Sequence, residues 1–158
     1  MAKVLVVYFT RTGNTKTMGE IVAGGATKEG VEVVLKDVEK TKPEEMLDYD
    51  AIVAGSPTYY GGMAGKMKDF FDSSVSHHGK LSGRVGGAFS SSANIGGGNE
   101  TTILDILHTM LIHGMIVQGT AEGDHYGPVS IDSPDDRVKA QCEALGRRVA
   151  SLSKRLFD

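Results

Sequence analysis

The sequence predicts an α/β fold in which one parallel sheet is covered by helices on both faces. Two observations predict it. Short apolar runs alternate along the chain with longer stretches whose apolar residues fall at helical spacing. Those runs, such as Val4-Leu5-Val6-Val7-Tyr8-Phe9, are continuously apolar rather than alternating, as strands buried on both faces must be. The length of 158 residues and the 40% hydrophobic content suit one globular domain, expected to span 1–158.

The elements follow in order. Residues 3–9 read as the first strand, and 15–29 as a helix carrying Met18, Ile21, Val22 and Ala26 on one stripe. Residues 31–35 form a second strand, and Pro43 opens a short turn or helix. Residues 51–55 are the third strand, followed by a helix through Lys66–Phe71. Residues 85–89 make a glycine-rich fourth strand. The helix 100–112 is expected to bury Ile103, Leu104, Leu107 and Leu111, with Gly114 as its stop. Residues 115–117 supply a fifth strand. The last helix, 135–157, carries the stripe Val138, Cys142, Leu145, Val149, Leu152 and Leu156.

Composition excludes several classes. A net charge of −3 gives no reason to expect nucleic acid as a partner. No apolar run approaches the ~20 residues of a membrane span, and no signal-peptide pattern opens the chain, so no membrane insertion is expected. The single cysteine rules out an internal disulfide and suits a reducing compartment, which makes the expected location cytoplasmic. Glycine is abundant, at 21 residues, and clusters at 61–65, 83–87 and 96–98. Such clusters suggest loops that approach something closely.

In parallel α/β sheets, ligands bind beyond the carboxyl ends of the strands. At the first such end stands "TRTGNTKT" (10–17), four threonine hydroxyls around a Gly-Asn turn. A helix beginning near Asn14 would point its N–H groups and positive end at an anion there. The stretch is neither a Walker loop nor a G-x-G-x-x-G turn, and neutral donors suit a single terminal phosphate. The same residues are ordinary helix caps, so the octamer alone reads either way. Two further strand ends add weight. "GSPTYYGGMAGKMKDFFD" (55–72) places two aromatics on a Pro- and Gly-bounded loop, suited to a planar ring. "FSSSANIGGGNETT" (89–102) offers hydroxyls, Asn94 and backbone amides for the heteroatoms on such a ring. Phosphate at the first loop and a flat heterocycle at the others describe flavin mononucleotide (FMN).

Other chemistries fit the residues poorly. A phosphoreceiver domain needs carboxylates where Thr10 and Ser56 stand. Cys142 and Arg148 have the C-x5-R spacing of a phosphatase, but Cys142 belongs to a helical apolar stripe and reads as a core thiol. His108 and His113 lie ~140° apart around a helix, which rules out a one-face metal pair, so no metal is expected. His77 and His78 read as a solvated turn, and Arg147, Arg148, Lys154 and Arg155 as the solvent face of the last helix.

The chain resembles the flavodoxin-like superfamily, and within it the WrbA-type NAD(P)H:quinone oxidoreductases. The matching stretches are "KVLVVYFTRTGNT" (3–15), "YDAIVAGSPTYYGGMAGKMKDFFD" (49–72), "GKLSGRVGGAFSSSANIGGGNETT" (79–102), "HGM" (113–115) and "YGP" (126–128). The resemblance implies a three-layer sandwich with a five-stranded parallel sheet in the order 2-1-3-4-5. It also implies FMN as cofactor, with a phosphate loop at Thr10, Arg11, Thr12, Gly13, Asn14 and Thr15. A ring loop falls on Pro57, Thr58, Tyr59, Tyr60 and Gly61, and a second on Ser90, Ser91, Ser92, Ala93, Asn94 and Ile95. The family's cavity histidine falls on His113, the implied catalytic residue, at a helix end whose field favours imidazolium. The implied enzyme passes two electrons from NAD(P)H through FMN to a quinone and is a homo-oligomer. The alternative is an electron carrier that docks with redox protein partners. The chain departs from the WrbA pattern at Thr12 and Tyr59, has no tryptophan, and is shorter near 36–50 and 72–80. These departures bear on nicotinamide and quinone recognition more than on FMN.

Overall fold

The computed structural model describes residues 1–158. β1 (Lys3–Tyr8) leads into α1 (Asn14–Thr27), then β2 (Glu32–Asp37) and two short 3-10 turns at Val38–Lys40 and Pro43–Asp48. β3 (Ala51–Tyr59), β4 (Gly62–Met63) and α2 (Gly65–Ser73) follow, with a 3-10 turn at Ser74–His77. β5 (Val85–Ser92), α3 (Asn99–Ile112), β6 (Ile116–Val117), β7 (Val129–Ile131) and α4 (Asp136–Phe157) complete the chain.

The sheet runs β2-β1-β3-β5-β6, all parallel, which is the predicted order of the main strands. It has seven strands rather than five. One extra strand is β4, which folds back antiparallel on β3. The other arises because the fifth position is filled by two pieces, β6 beside Val85–Gly86 and β7 beside Ser90–Ser92. The chain leaves the sheet between them and returns at Gly127, where a Cβ would stand 2.1 Å from the Ala88 carbonyl oxygen. Only glycine passes that close to a neighbouring strand.

Side-chain alternation along β1 divides the core. Val4, Val6 and Tyr8 pack under α1 and α4, whereas Leu5 and Val7 pack under α2 and α3. The first layer is unusually tight. At Gly25 a Cβ would lie 2.3 Å from the Glu143 carbonyl oxygen, and at Gly146 2.0 Å from that of Val22. The two helices therefore meet backbone to backbone, and these glycines do packing work outside the loops.

Three expected core positions are corrected. Leu111 is 56% exposed and Leu104 only half-buried; α3 instead buries Ile103, Ile106, Leu107 and Met110, a stripe turned one residue. Leu156, in the last turn of α4, is exposed, and Cys142, Leu145 and Val149 anchor the helix instead. The basic residues of α4 are more than a solvated face. Arg147 pairs with Glu29, Lys154 donates to the Glu29 carbonyl, and half-buried Arg148 donates to the Gln118 carbonyl. They tie α4 to the end of α1 and to the chain leaving β6.

Candidate functional site

The carboxyl ends of β1, β3 and β5 open on one cleft of about 220 Å³. Its first wall is the turn between β1 and α1. Gly13 takes φ +105° at the N-cap, a conformation L side chains rarely adopt. No side chain caps α1, and no acidic residue stands in its first turn. The leading N–H groups of a 14-residue helix are thus left to whatever enters the cleft. Thr10 acts behind the wall, its hydroxyl accepting from the Gly13 N–H at 3.1 Å. Thr15 is buried and bonded to the Ser91 hydroxyl at 2.9 Å, which joins the first loop to the third. Arg11, Thr12, Asn14 and Thr15 line the cleft. Arg11 is exposed, and its guanidinium is in no ion pair.

The second wall is the end of β3, where Pro57, Thr58 and Tyr59 line the cleft. Tyr59 meets Phe9 edge to face with ring centres 6.2 Å apart. Beyond it, Tyr60 at φ 51° and Gly61 at φ +81° form the two-residue link between Tyr59 and its β4 partner Gly62. Two positive φ values in succession describe a type I′ turn, which an aromatic at Tyr60 adopts only under constraint. The constraint comes from α3. Thr101 donates to the Gly61 carbonyl at 2.6 Å, and one helical turn later Asp105 accepts from the Met63 N–H at 3.0 Å. Tyr60 is left fully exposed at the tip.

Ser91, Ser92 and Ala93 form the third wall. Ser90 lies beneath it, its hydroxyl bonded to the Asn99 carbonyl, and contributes structure rather than lining. Asn94 donates to the Ile95 carbonyl, and Ile95 projects into solvent, 89% exposed. One lining residue has no counterpart in the sequence reading. Asp132, after β7, takes φ 53° and faces the same cleft. The signal for it was weak, since "SIDSPDD" resembles an ordinary helix lead-in.

His113 is elsewhere. It caps the C-terminus of α3, twelve residues beyond Thr101, which at ~1.5 Å rise per residue is ~18 Å along the axis. It lines a larger cavity of about 500 Å³ between α2 and α3, whose walls include none of the residues of the three loops. Size does not decide between the two cavities. The smaller one gathers three strand ends, an uncapped helix and free hydroxyls, and the larger one does not.

Nor is His113 a surface cap. It is buried, and its Nε2 lies 2.7 Å from the Ser74 hydroxyl, which itself donates to the Phe71 carbonyl. Nε2 must therefore carry the proton, leaving Nδ1 bare, buried and without a partner. Burial, then the neighbouring His78 and His77 charges, hold its pKa below the usual histidine value. The helix field expected to favour imidazolium is outweighed. His108 shares this cavity, which is wide enough to take in two side chains from different sides of α3. No set of three His, Cys, Asp or Glu side chains gathers at metal-binding distance. Cys142 is buried in α4, and burial pushes its thiol up to about 12.

A family model for the flavodoxin domain matches residues 5–95, which include all three loops. The chain belongs to the flavodoxin family. A flavodoxin of Aquifex aeolicus (strain VF5) is 44% identical over 95% of this chain and 86% of its own length. An NAD(P)H dehydrogenase (quinone) of Archaeoglobus fulgidus is 34% identical over 99% of this chain and 100% of its own length. Among solved structures, a flavodoxin from the domain Archaea superposes with a TM-score of 0.79 at 31% identity, covering 96% of this chain and 99% of that one. A flavodoxin, WrbA-like protein from Agrobacterium tumefaciens superposes with a TM-score of 0.83 at 25% identity, covering 98% and 99%. Membership of the flavodoxin family implies FMN binding and a flavoprotein of the oxidoreductase kind. The uncapped α1 terminus and the uncharged hydroxyls beside it are a donor set that fits the phosphate of FMN. No helix is long and apolar enough to cross a membrane.

Proposed function

We propose that the protein, taken as a single domain over 1–158, holds FMN in the cleft at the three strand ends and serves as an electron carrier between protein partners. Bound FMN would supply the redox chemistry through its isoalloxazine ring. The chain's residues would bind and orient it. The α1 N–H groups and the Thr12 hydroxyl would take the phosphate, with Arg11 supplying positive charge from the rim. Pro57–Tyr59 and Ser91–Ala93 would hold the ring, their backbone kept in place by the Thr101 and Asp105 clamp and by the Thr15–Ser91 bond.

The observation that carries the carrier reading is the shape of the rim. Tyr60 and Ile95, one from each ring loop, project apolar side chains into solvent. Exposed apolar tips beside a redox centre suit docking onto another protein, where buried aromatics contribute most of the affinity. The 44%-identical relative, itself called a flavodoxin, supports the same reading.

A second reading keeps the two-electron enzyme, NAD(P)H to quinone, and is favoured by the 34%-identical quinone dehydrogenase. In that reading His113 would serve a flavin held by a second copy of the chain, because its own cleft lies ~18 Å away along α3. A homo-oligomer is therefore required by the enzyme and not by the carrier. Anaerobic mixing of FMN-loaded protein with NADH or NADPH separates them. The carrier leaves the flavin yellow on the seconds timescale; rapid bleaching, and quinone turnover lowered by His113→Ala, would establish the enzyme.

A further inference from the structure

A groove of about 340 Å³ lies between α4 and the edge strand β6, and it shares no residue with the strand-end cleft or with the α2–α3 cavity. Its α4 wall is Arg148, Ser151, Leu152 and Arg155, which the helical repeat places on one face. Ile116, Val117 and Gln118 make the opposite wall. No acidic residue lines the groove. Elsewhere on the same helix cations are matched: Arg137 pairs with Asp124, Lys139 with Asp136, and Arg147 with Glu29 and Glu143. Arg148 and Arg155 have no such partner. Arg148 is half-buried, its Nε donates to the Gln118 carbonyl at 3.2 Å, and its two terminal nitrogens donate to nothing. Burial, with no carboxylate to offset it, holds its pKa below the usual arginine value.

We propose that this groove is a second binding site, for a free aliphatic carboxylate. A guanidinium held partly out of water has lost hydration that a carboxylate replaces, and its planar fork meets the two carboxylate oxygens with parallel hydrogen bonds. Arg148 is prepared for that contact, since the Gln118 carbonyl fixes its Nε and leaves both terminal nitrogens free. Ser151, one turn along, adds a hydroxyl donor, and Arg155 adds a second positive charge one turn further. The remaining wall is aliphatic, from Leu152, Ile116 and Val117. Ile116 is 41% exposed, so a hydrocarbon chain laid against it removes apolar surface from water. The volume falls within the ~300–1,000 Å³ of small-molecule sites. Both halves of the ligand are selected. A bare anion leaves the aliphatic wall wet, and a neutral alkyl chain leaves the arginines unpaired. The assignment is independent of FMN, whose proposed cleft is built from other residues.

Three probes dissect the assignment: octanoate, acetate, which has the charge without the chain, and octanol, which has the chain without the charge. Each is titrated into the full-length protein, with and without FMN, and followed by backbone amide chemical shifts. Octanoate should move the amides of β6 and of α4 between Arg148 and Arg155, to the same extent in both forms. Acetate and octanol should each bind more weakly by about tenfold or more. Arg148→Met, which keeps the bulk of the stem, should weaken octanoate by about tenfold or more. Arg155→Gln, at an exposed position that the fold does not depend on, should weaken it by about threefold and serves if Arg148→Met does not fold. Octanol binding as tightly as octanoate would reduce the groove to an apolar crevice and overturn the assignment. So would octanoate binding that both variants leave unchanged, shifts confined to the strand-end cleft and lost on adding FMN, or no shift at millimolar octanoate.

Discussion

Thr12 and Thr15 occupy the same turn, and the structure gives them different work. Thr15 is buried and spends its hydroxyl on Ser91, so removing it would loosen the joint between two loops. The Thr12 side chain lines the cleft with no partner in the protein. Thr12→Ala therefore isolates the ligand contact. It should cost FMN affinity about 1.5–3 kcal/mol, the range for a hydrogen bond to a charged group. Riboflavin affinity should be nearly unaffected. Fluorescence titration with both ligands checks it, and equal losses would mean that Thr12 shapes the loop rather than meeting a phosphate. His113 makes a second residue-scale prediction. Its folded pKa is lowered, so the folded state takes up the proton less readily than the unfolded chain, whose histidines titrate near ~6.5. Stability is then full above that value and falls as pH drops through it toward the depressed folded pKa. Thermal unfolding followed from about pH 7.5 to about pH 5.5 should show wild type losing more stability than His113→Gln. Parallel losses would place the pH sensitivity elsewhere.

At the scale of elements, the α1–α4 contact is set by Gly25 and Gly146, whose missing side chains let the two backbones touch. Gly146→Ala would push a methyl to 2.0 Å from the Val22 carbonyl oxygen and force the helices apart. A destabilisation of about 1–3 kcal/mol is expected, although alanine is the better helix former. Gly24→Ala makes the control, because a Cβ there meets nothing within 4 Å. Urea unfolding of the pair checks it, and equal midpoints would contradict the close crossing. The elements also mark what could be read without coordinates. The apolar runs at 3–9 and 51–55 were legible because burial on both faces leaves a continuous apolar run, and the last helix because burial on one face leaves a periodic stripe. The split of the fifth strand was not, since Ile116–Val117 and Val129–Ile131 are too short to show a period. The stripe on α3 was misplaced by one residue because Met110 and Leu111 are equally apolar, and only the tilt of the helix on the sheet chooses between them.

For the whole molecule, the site is an emergent property of three loops that are far apart in sequence. The three loops that meet at the cleft could be picked out because hydroxyls and glycines at strand ends carry a chemical meaning on their own. Asp132 could not, because a lone aspartate in a turn carries none until β7 places it beside Ser92 and Asn14. His113 is a case of a different kind. The residues around it match a family motif, yet the length of α3 carries it away from the cleft in the same chain. The proposed function rests above all on the uncapped start of α1 as a seat for the phosphate of a flavin. Titration of the purified protein, stripped of ligand, with FMN and with riboflavin tests it most directly. Tighter FMN binding by on the order of 100-fold is predicted, since several charge-assisted hydrogen bonds are lost with the phosphate. Equal affinity for the two flavins would contradict it.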